Sequence, residues 1–156
     1  MFNASEILQF AIRIEENGEK MYRRFSKAIK DSKNKKLFGY LADEEVKHKK
    51  TFNDMVSKIE KYEPPESYPG EYFAYLRAYA DDIIFTHKNL DNELTKIVDA
   101  LAAIKFAIQR EVDSILYYLE MKNFVPEHQH KVIHKIVDEE RNHYLKLTEI
   151  KKSYED

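Results

Sequence analysis

The chain predicts an all-α fold: four long helices folded as two antiparallel hairpins, joined by one long crossover that holds a short extra helix. Three observations carry this expectation. Apolar residues recur every three or four positions along most of the 156 residues, the spacing of one buried helix face. Breakers are scarce, with three glycines and four prolines, and three of the prolines crowd between positions 64 and 69. A segment also occurs twice. Asp43-Glu44-Glu45-x-x-His48 is repeated as Asp138-Glu139-Glu140-x-x-His143, and each copy follows a related stretch, Phe10 to Glu15 and Phe106 to Glu111.

The first helix is expected over about 4–30, started by Asn3 with Glu6 three residues on, a capping-box arrangement. The second covers about 33–62 through Leu37, Leu41, Phe52, Met55 and Ile59. The short link between them folds the pair into a hairpin. The run from Tyr62 to Gly70 breaks the second helix, and the crossover 63–92 holds a shorter helix from Tyr72 to about Phe85. The tyrosines of this crossover, Tyr68, Tyr72, Tyr75 and Tyr79, read as a packing or interface surface. A third helix is expected over about 93–122. A fourth, about 126–152, places Pro126 in its first turn, where a missing N–H costs nothing. The whole chain, 1–156, reads as one domain, since 43% hydrophobic residues suffice for a single core.

Composition removes several function classes. A net charge of −2 offers no basic footprint for nucleic acid. The absence of cysteine excludes thiolate zinc sites, iron–sulfur clusters and a cysteine nucleophile. No run approaches the ~18 apolar residues of a membrane span, and Glu6, Gln9 and Arg13 interrupt the N-terminus. A cytoplasmic location is the expectation.

Register puts charge where the core belongs. Leu8, Ile12, Glu15, Tyr22 and Ile29 share one stripe of the first helix, and Leu41, Glu45, His48, Phe52 and Met55 one of the second. The third aligns Ile104, Ile108, Glu111, Ile115 and Tyr118, and the fourth Ile133, Ile136, Glu140, His143, Leu147 and Ile150. Counted from the hairpin turns at a rise of roughly 1.5 Å per residue, Glu15, Glu45, His48, Glu111, Glu140 and His143 fall in one layer. Four buried carboxylates repel and lose hydration at several kcal/mol each. Two divalent metals would cancel their charge, with the histidines adding nitrogen, and this mixed set suits iron or manganese better than calcium or magnesium. Glu16 and Glu19 lie near Glu15; the match to Glu111 and the tyrosine seven residues on favour Glu15. His87, His128, His130 and His134 read as solvated surface, and Asp43, Glu44, Asp138 and Glu139 as possible hydrogen-bond partners of the ligand histidines.

The set Glu15 with Tyr22, Glu45-x-x-His48, Glu111 with Tyr118, and Glu140-x-x-His143 resembles the di-iron carboxylate site of the ferritin-like superfamily. It is most similar to the rubrerythrin-type domain in its short stand-alone form, and the resemblance spans essentially the whole chain. It implies a ferritin-like four-helix bundle, two Fe ions (Mn sharing the same ligands), Glu45 and Glu140 as bridging carboxylates, Glu15 and Glu111 as terminal ones, and one histidine per ion. Tyr22 and Tyr118 would orient the ligands. The implied activity is an oxidoreductase, reducing peroxide or oxygen in a homodimer with electrons from a separate redox protein. Rubrerythrins proper carry a four-cysteine rubredoxin-like domain, for which this chain has no cysteines. They also carry a further glutamate near the third-helix ligand, where this chain has Ile108, Ser114 and Ile115. The alternatives are ferritin-like iron oxidation and storage, or metal buffering without a reductase partner, and a purely structural metal staple.

Overall fold

The structure, a computed structural model, describes residues 4–59 and 70–155. Six α-helices follow in order: α1 Ala4–Ala28, α2 Ser32–Lys58, α3 Gly70–Ile83, α4 His87–Thr95, α5 Ala100–Met121 and α6 His130–Glu155. No strand occurs among the described residues. Helix α1 packs along α2 and α5 along α6, while α1 meets α5 and α2 meets α6, which closes the four-helix bundle. Helix α3 lies on α5, and α4 lies on α1. The expected all-α bundle of two hairpins with a long crossover is the fold observed.

Caps set the hairpin turns. Asp31 starts α2 by accepting a hydrogen bond from the Asn34 amide (2.8 Å), which satisfies an otherwise orphaned donor. The Asn34 side chain then donates to the Tyr154 hydroxyl (2.8 Å), tying the end of α6 to this corner. The capping box expected at Asn3, the tail of the second helix at 60–62, and Tyr68 lie outside the described residues.

Two boundaries differ from the periodicity. The third bundle helix begins at Ala100 rather than 93, because Asp99 stops the pattern and caps α5 by accepting from the Ala102 amide (2.7 Å). Residues 93–95 belong instead to α4, a second crossover helix capped by Thr86 on the Asn89 amide (3.2 Å). Apolar spacing runs through this junction because Leu90 and Leu94 also face the core, so only the caps reveal the break. Pro126 likewise does not sit in the first turn of the fourth helix. Its extended backbone precedes a short 3₁₀ turn, Glu127–Gln129, and α6 starts at His130.

The core is divided. Leu8, Phe52, Leu76, Tyr117, Phe124, Ile133 and Val137 form an apolar cluster at one end of the bundle. Met21, Phe25, Phe38, Leu90, Ile104 and Leu147 form another at the opposite end. Between them lies a polar layer, shut off from water by hydrophobic packing above and below.

Candidate metal centre

Each bundle helix contributes to this layer at the register the sequence dictates. Glu15 comes from α1, Glu45 and His48 from α2, Glu111 from α5, and Glu140 and His143 from α6. All six are at most 4% exposed. Glu-x-x-His works on a helix because residues three apart share a face, so α2 and α6 each deliver a carboxylate and an imidazole to the same spot. Glu16 and Glu19 point outward into ion pairs with Lys49 (3.0 Å) and Arg23 (3.9 Å), and Glu15 alone enters the cluster.

The six groups form two overlapping sets. Glu15, Glu45, His48 and Glu140 bring one ligand atom each within 4.8 Å of one another; Glu45, Glu111, Glu140 and His143 do the same. Glu45 and Glu140 belong to both, so the layer holds two adjoining four-residue nests with two shared carboxylates. The Nδ1 atom of His48 lies 2.7 Å from Glu140 Oε1 and 3.6 Å from Glu15 Oε2. That of His143 lies 3.5 Å from Glu111 Oε1 and 3.7 Å from Glu45 Oε1. The two imidazoles stack at 5.8 Å between centroids.

Polar atoms here face inward without hydrogen-bond partners. Glu15 Oε2, His48 Nδ1, Glu111 Oε2, Glu140 Oε1 and His143 Nδ1 are buried without a regular hydrogen bond, although His48 Nδ1 and Glu140 Oε1 form a close ion pair. An orphaned buried polar atom costs about 1–3 kcal/mol, and five of them facing one small volume are the signature of a missing common partner. Carboxylate oxygens and imidazole nitrogens in this number fit two transition-metal ions.

Outer contacts fix the groups from behind. The Tyr22 hydroxyl donates to Glu111 Oε1, and the Tyr118 hydroxyl to Glu15 Oε1. Each repeat thus orients the leading glutamate of the other. Burial and the surrounding carboxylates push both tyrosines well above their ordinary range, so they stay protonated donors. His48 Nε2 meets Glu139 Oε2 at 2.8 Å, the carboxylate–histidine pairing that sets which ring nitrogen faces a metal. Glu44 does not repeat this for His143; it binds Lys47 at 2.6 Å. Asp43 and Asp138 face outward to Arg23 (2.7 Å) and Arg141 (3.0 Å).

Electrostatics in the layer favour the neutral form at three of the four carboxylates. Burial raises Glu15 to about 7. Burial and the neighbouring carboxylates push Glu45 and Glu140 well above the usual range. For Glu111, burial raises while the close Glu140, His143 and Tyr22 groups lower, and the neighbours win. For His48 burial lowers, yet Glu140, Glu45 and Glu139 hold its proton to about 10. Without metal, therefore, protons stand in for the cations.

Gly18 is a part of this site that the periodicity does not reveal. It lies one turn beyond Glu15, and a Cβ there would meet Glu45 Cγ and Cδ at 3.3 Å. A glycine inside a long helix costs about 1 kcal/mol against alanine, a signal that the position serves something else. His87, His128 and His134 are exposed, as expected, and His130 is half-buried, its Nε2 3.1 Å from the Val125 carbonyl. Among the described residues, no helix is long and apolar enough to cross a membrane.

Comparison with known proteins agrees with this geometry. No curated protein matches the sequence. A crystal structure from Thermotoga maritima, described as that of a ferritin-like diiron-carboxylate protein, is 30% identical, covers 97% of this chain and 95% of its own, and superposes with a TM-score of 0.72. The sequence profile of the rubrerythrin family matches residues 6–151. With its helical bundle, its buried glutamate–histidine layer and a family match over nearly all its length, the chain belongs to the rubrerythrin family.

Proposed function

We propose that this protein reduces hydrogen peroxide, or dioxygen, at a pair of iron ions that its buried glutamates and histidines would hold, with electrons from a separate redox protein. The observation that carries the reading is the pair of overlapping ligand sets sharing Glu45 and Glu140, with unpaired donor atoms aimed inward. Glu15 and His48 would hold one ion, Glu111 and His143 the other, and Glu45 and Glu140 would lie between both. Manganese uses the same donors, and metal analysis of the isolated protein decides between the two. When bound, the two reduced ions supply the two electrons that, with two protons, convert hydrogen peroxide to two waters.

The chain's own residues set the conditions for that step. Four carboxylates balance the charge of two divalent ions. Tyr118 and Tyr22 hold Glu15 and Glu111 by buried hydroxyl bonds, so neither carboxylate swings freely. Glu139 is placed to accept an Nε2–H from His48, which would leave Nδ1 as the nitrogen offered to a metal. The two apolar clusters keep bulk water from the layer and strengthen each electrostatic contact inside it. These 156 residues include no cysteine to hold an iron–sulfur or rubredoxin-like relay, and the proposal assigns electron delivery to a separate donor. A cytoplasmic homodimer completes it.

The test is single-turnover oxidation. Anaerobic protein loaded with ferrous iron should consume about one peroxide per chain and gain near-ultraviolet absorption, and a reductant should reset it. A large hollow oligomer that gathers many irons per chain without consuming peroxide would replace this reading with iron storage.

A further inference from the structure

The geometry points to a built passage for the small oxidant at the α1–α5 seam, with Gly18 as its threshold and as the residue that limits substrate size. The inference rests on the peroxide-reducing reading and names the substrate class that can enter: hydrogen peroxide and dioxygen, with alkyl hydroperoxides excluded.

Four observations carry it. First, a cavity of about 30 Å³ lies at this seam, and both Glu45 and Glu111 line it. That is room for one or two oxygen-sized groups beside the carboxylates. Second, Gly18 and Ser114 also line it, from α1 and α5. Each stands three residues after its leading glutamate, so the repeat places a small residue on both sides of one opening. Third, Gly18 is only half-buried while its missing Cβ would press on Glu45 at 3.3 Å. At Gly18, therefore, the lack of a side chain leaves a partly exposed backbone next to a shared carboxylate. Glu45 keeps the largest residual exposure of the four glutamates, 4% against 2% for Glu111 and 1% for Glu15 and Glu140.

Fourth, the walls are pinned. The Asn17 side chain donates to the Phe85 carbonyl (3.2 Å) and accepts from the Phe85 amide (2.8 Å), fixing the α3–α4 corner over the seam. The Arg110 guanidinium lies over the Phe85 and Phe106 rings at 5.0 and 5.2 Å and pairs with Asp113 at 2.8 Å. Its buried Nε has no partner, leaving a donor in the lining for a polar guest. A rigid opening discriminates by size, because widening it means breaking these bonds. The competing route is the cleft between α2 and α6, which reaches His48 and is lined by Val132.

The experiment uses iron-loaded full-length protein and two readouts. One is the association rate of azide with the oxidised iron pair, followed by its absorption band; the other is the oxidation rate of the reduced pair by hydrogen peroxide and by cumene hydroperoxide. Wild type should favour hydrogen peroxide by at least a hundredfold. Gly18→Ala should slow azide and hydrogen peroxide tenfold or more while still binding two irons per chain. Ser114→Val, which narrows the same cavity from α5, should do likewise, and it decides the matter if Gly18→Ala disturbs Glu45 enough to lose metal. Val132→Phe, which obstructs the α2–α6 cleft instead, should leave both rates within twofold. Unchanged rates in Gly18→Ala and Ser114→Val, or slowing confined to Val132→Phe, would overturn the passage. Wild-type protein that is inert to peroxide yet binds azide would sink the functional reading alone, with the passage still judged on azide.

Discussion

The two halves of the site differ in their outer contacts far more than in their ligands. Glutamate, glutamate and histidine stand at matching registers on α1–α2 and α5–α6, and the tyrosines cross over symmetrically to Glu111 and Glu15. Behind the histidines the symmetry ends. His48 is backed by Glu139 at 2.8 Å. The ring of His143 meets Tyr40 edge-on at 6.5 Å, while Glu44, the counterpart of Glu139, is drawn off by Lys47. The leading glutamates also diverge in charge, with Glu15 raised to about 7 and Glu111 held below the ordinary range. Duplication kept what touches the centre, and the surroundings drifted.

The largest effects should separate shared ligands from unshared ones. Glu45→Ala should lose both metals, because both sets need it, whereas Glu15→Ala or Glu111→Ala should retain about one per chain by metal analysis. Two metals lost from every variant alike would mean that the sets do not act as separate nests.

Next comes the contrast behind the histidines. Removing a carboxylate that orients a metal-binding histidine costs about 10–100-fold in metal affinity. Glu139→Ala should show that loss at one of the two sites in a binding isotherm, and Glu44→Ala should stay within about threefold. Equal losses would erase the asymmetry. The tyrosines test the part that stayed symmetric: Tyr22→Phe and Tyr118→Phe should each lower stability by about 1.5–3 kcal/mol, the range of a hydrogen bond to a charged group, and by similar amounts in chemical denaturation.

The last contrast is a drift with pH in the metal-free protein. Glu15 holds its proton more tightly folded (about 7) than its ordinary 4.5, so its stabilisation is complete below 4.5 and lost as pH rises to 7. His48, raised from 6.5 to about 10, acts in the same direction between those values. Melting temperature of the metal-free protein should therefore fall as pH rises from 4.5 to 10. With metal the trend should reverse over the lower part of that range, since binding requires those protons to leave.

Much of this was legible in the sequence because both the fold and the ligands are written in helical periodicity. Glu15, Glu45, Glu111 and Glu140 stand out as charges on an otherwise apolar stripe, and their burial follows from that register. The break between α4 and α5 was not legible from periodicity, since Leu90, Leu94 and Ile104 all face inward and only the Asp99 cap separates them. Pro126 showed the converse limit: its fixed backbone suits a first helical turn, but a 3₁₀ turn intervenes. Glu139 and Glu44 carry the same residue type at the same repeat position, so what divides them is tertiary: one reaches across to His48, and the other finds Lys47 on its own helix. Gly18 was visible only as a helix-interior glycine. Its contact with Glu45 crosses from α1 to α2, and no spacing along one helix records it.

The central claim is a single buried layer that holds two metals through two shared carboxylates. Anaerobic titration of the metal-free protein with ferrous iron, read by bound metal per chain, tests it most directly. Wild type should saturate at two, and Glu45→Ala combined with Glu140→Ala should bind none. Saturation at fewer than two in the wild type, or two irons still bound in the double variant, would contradict the account.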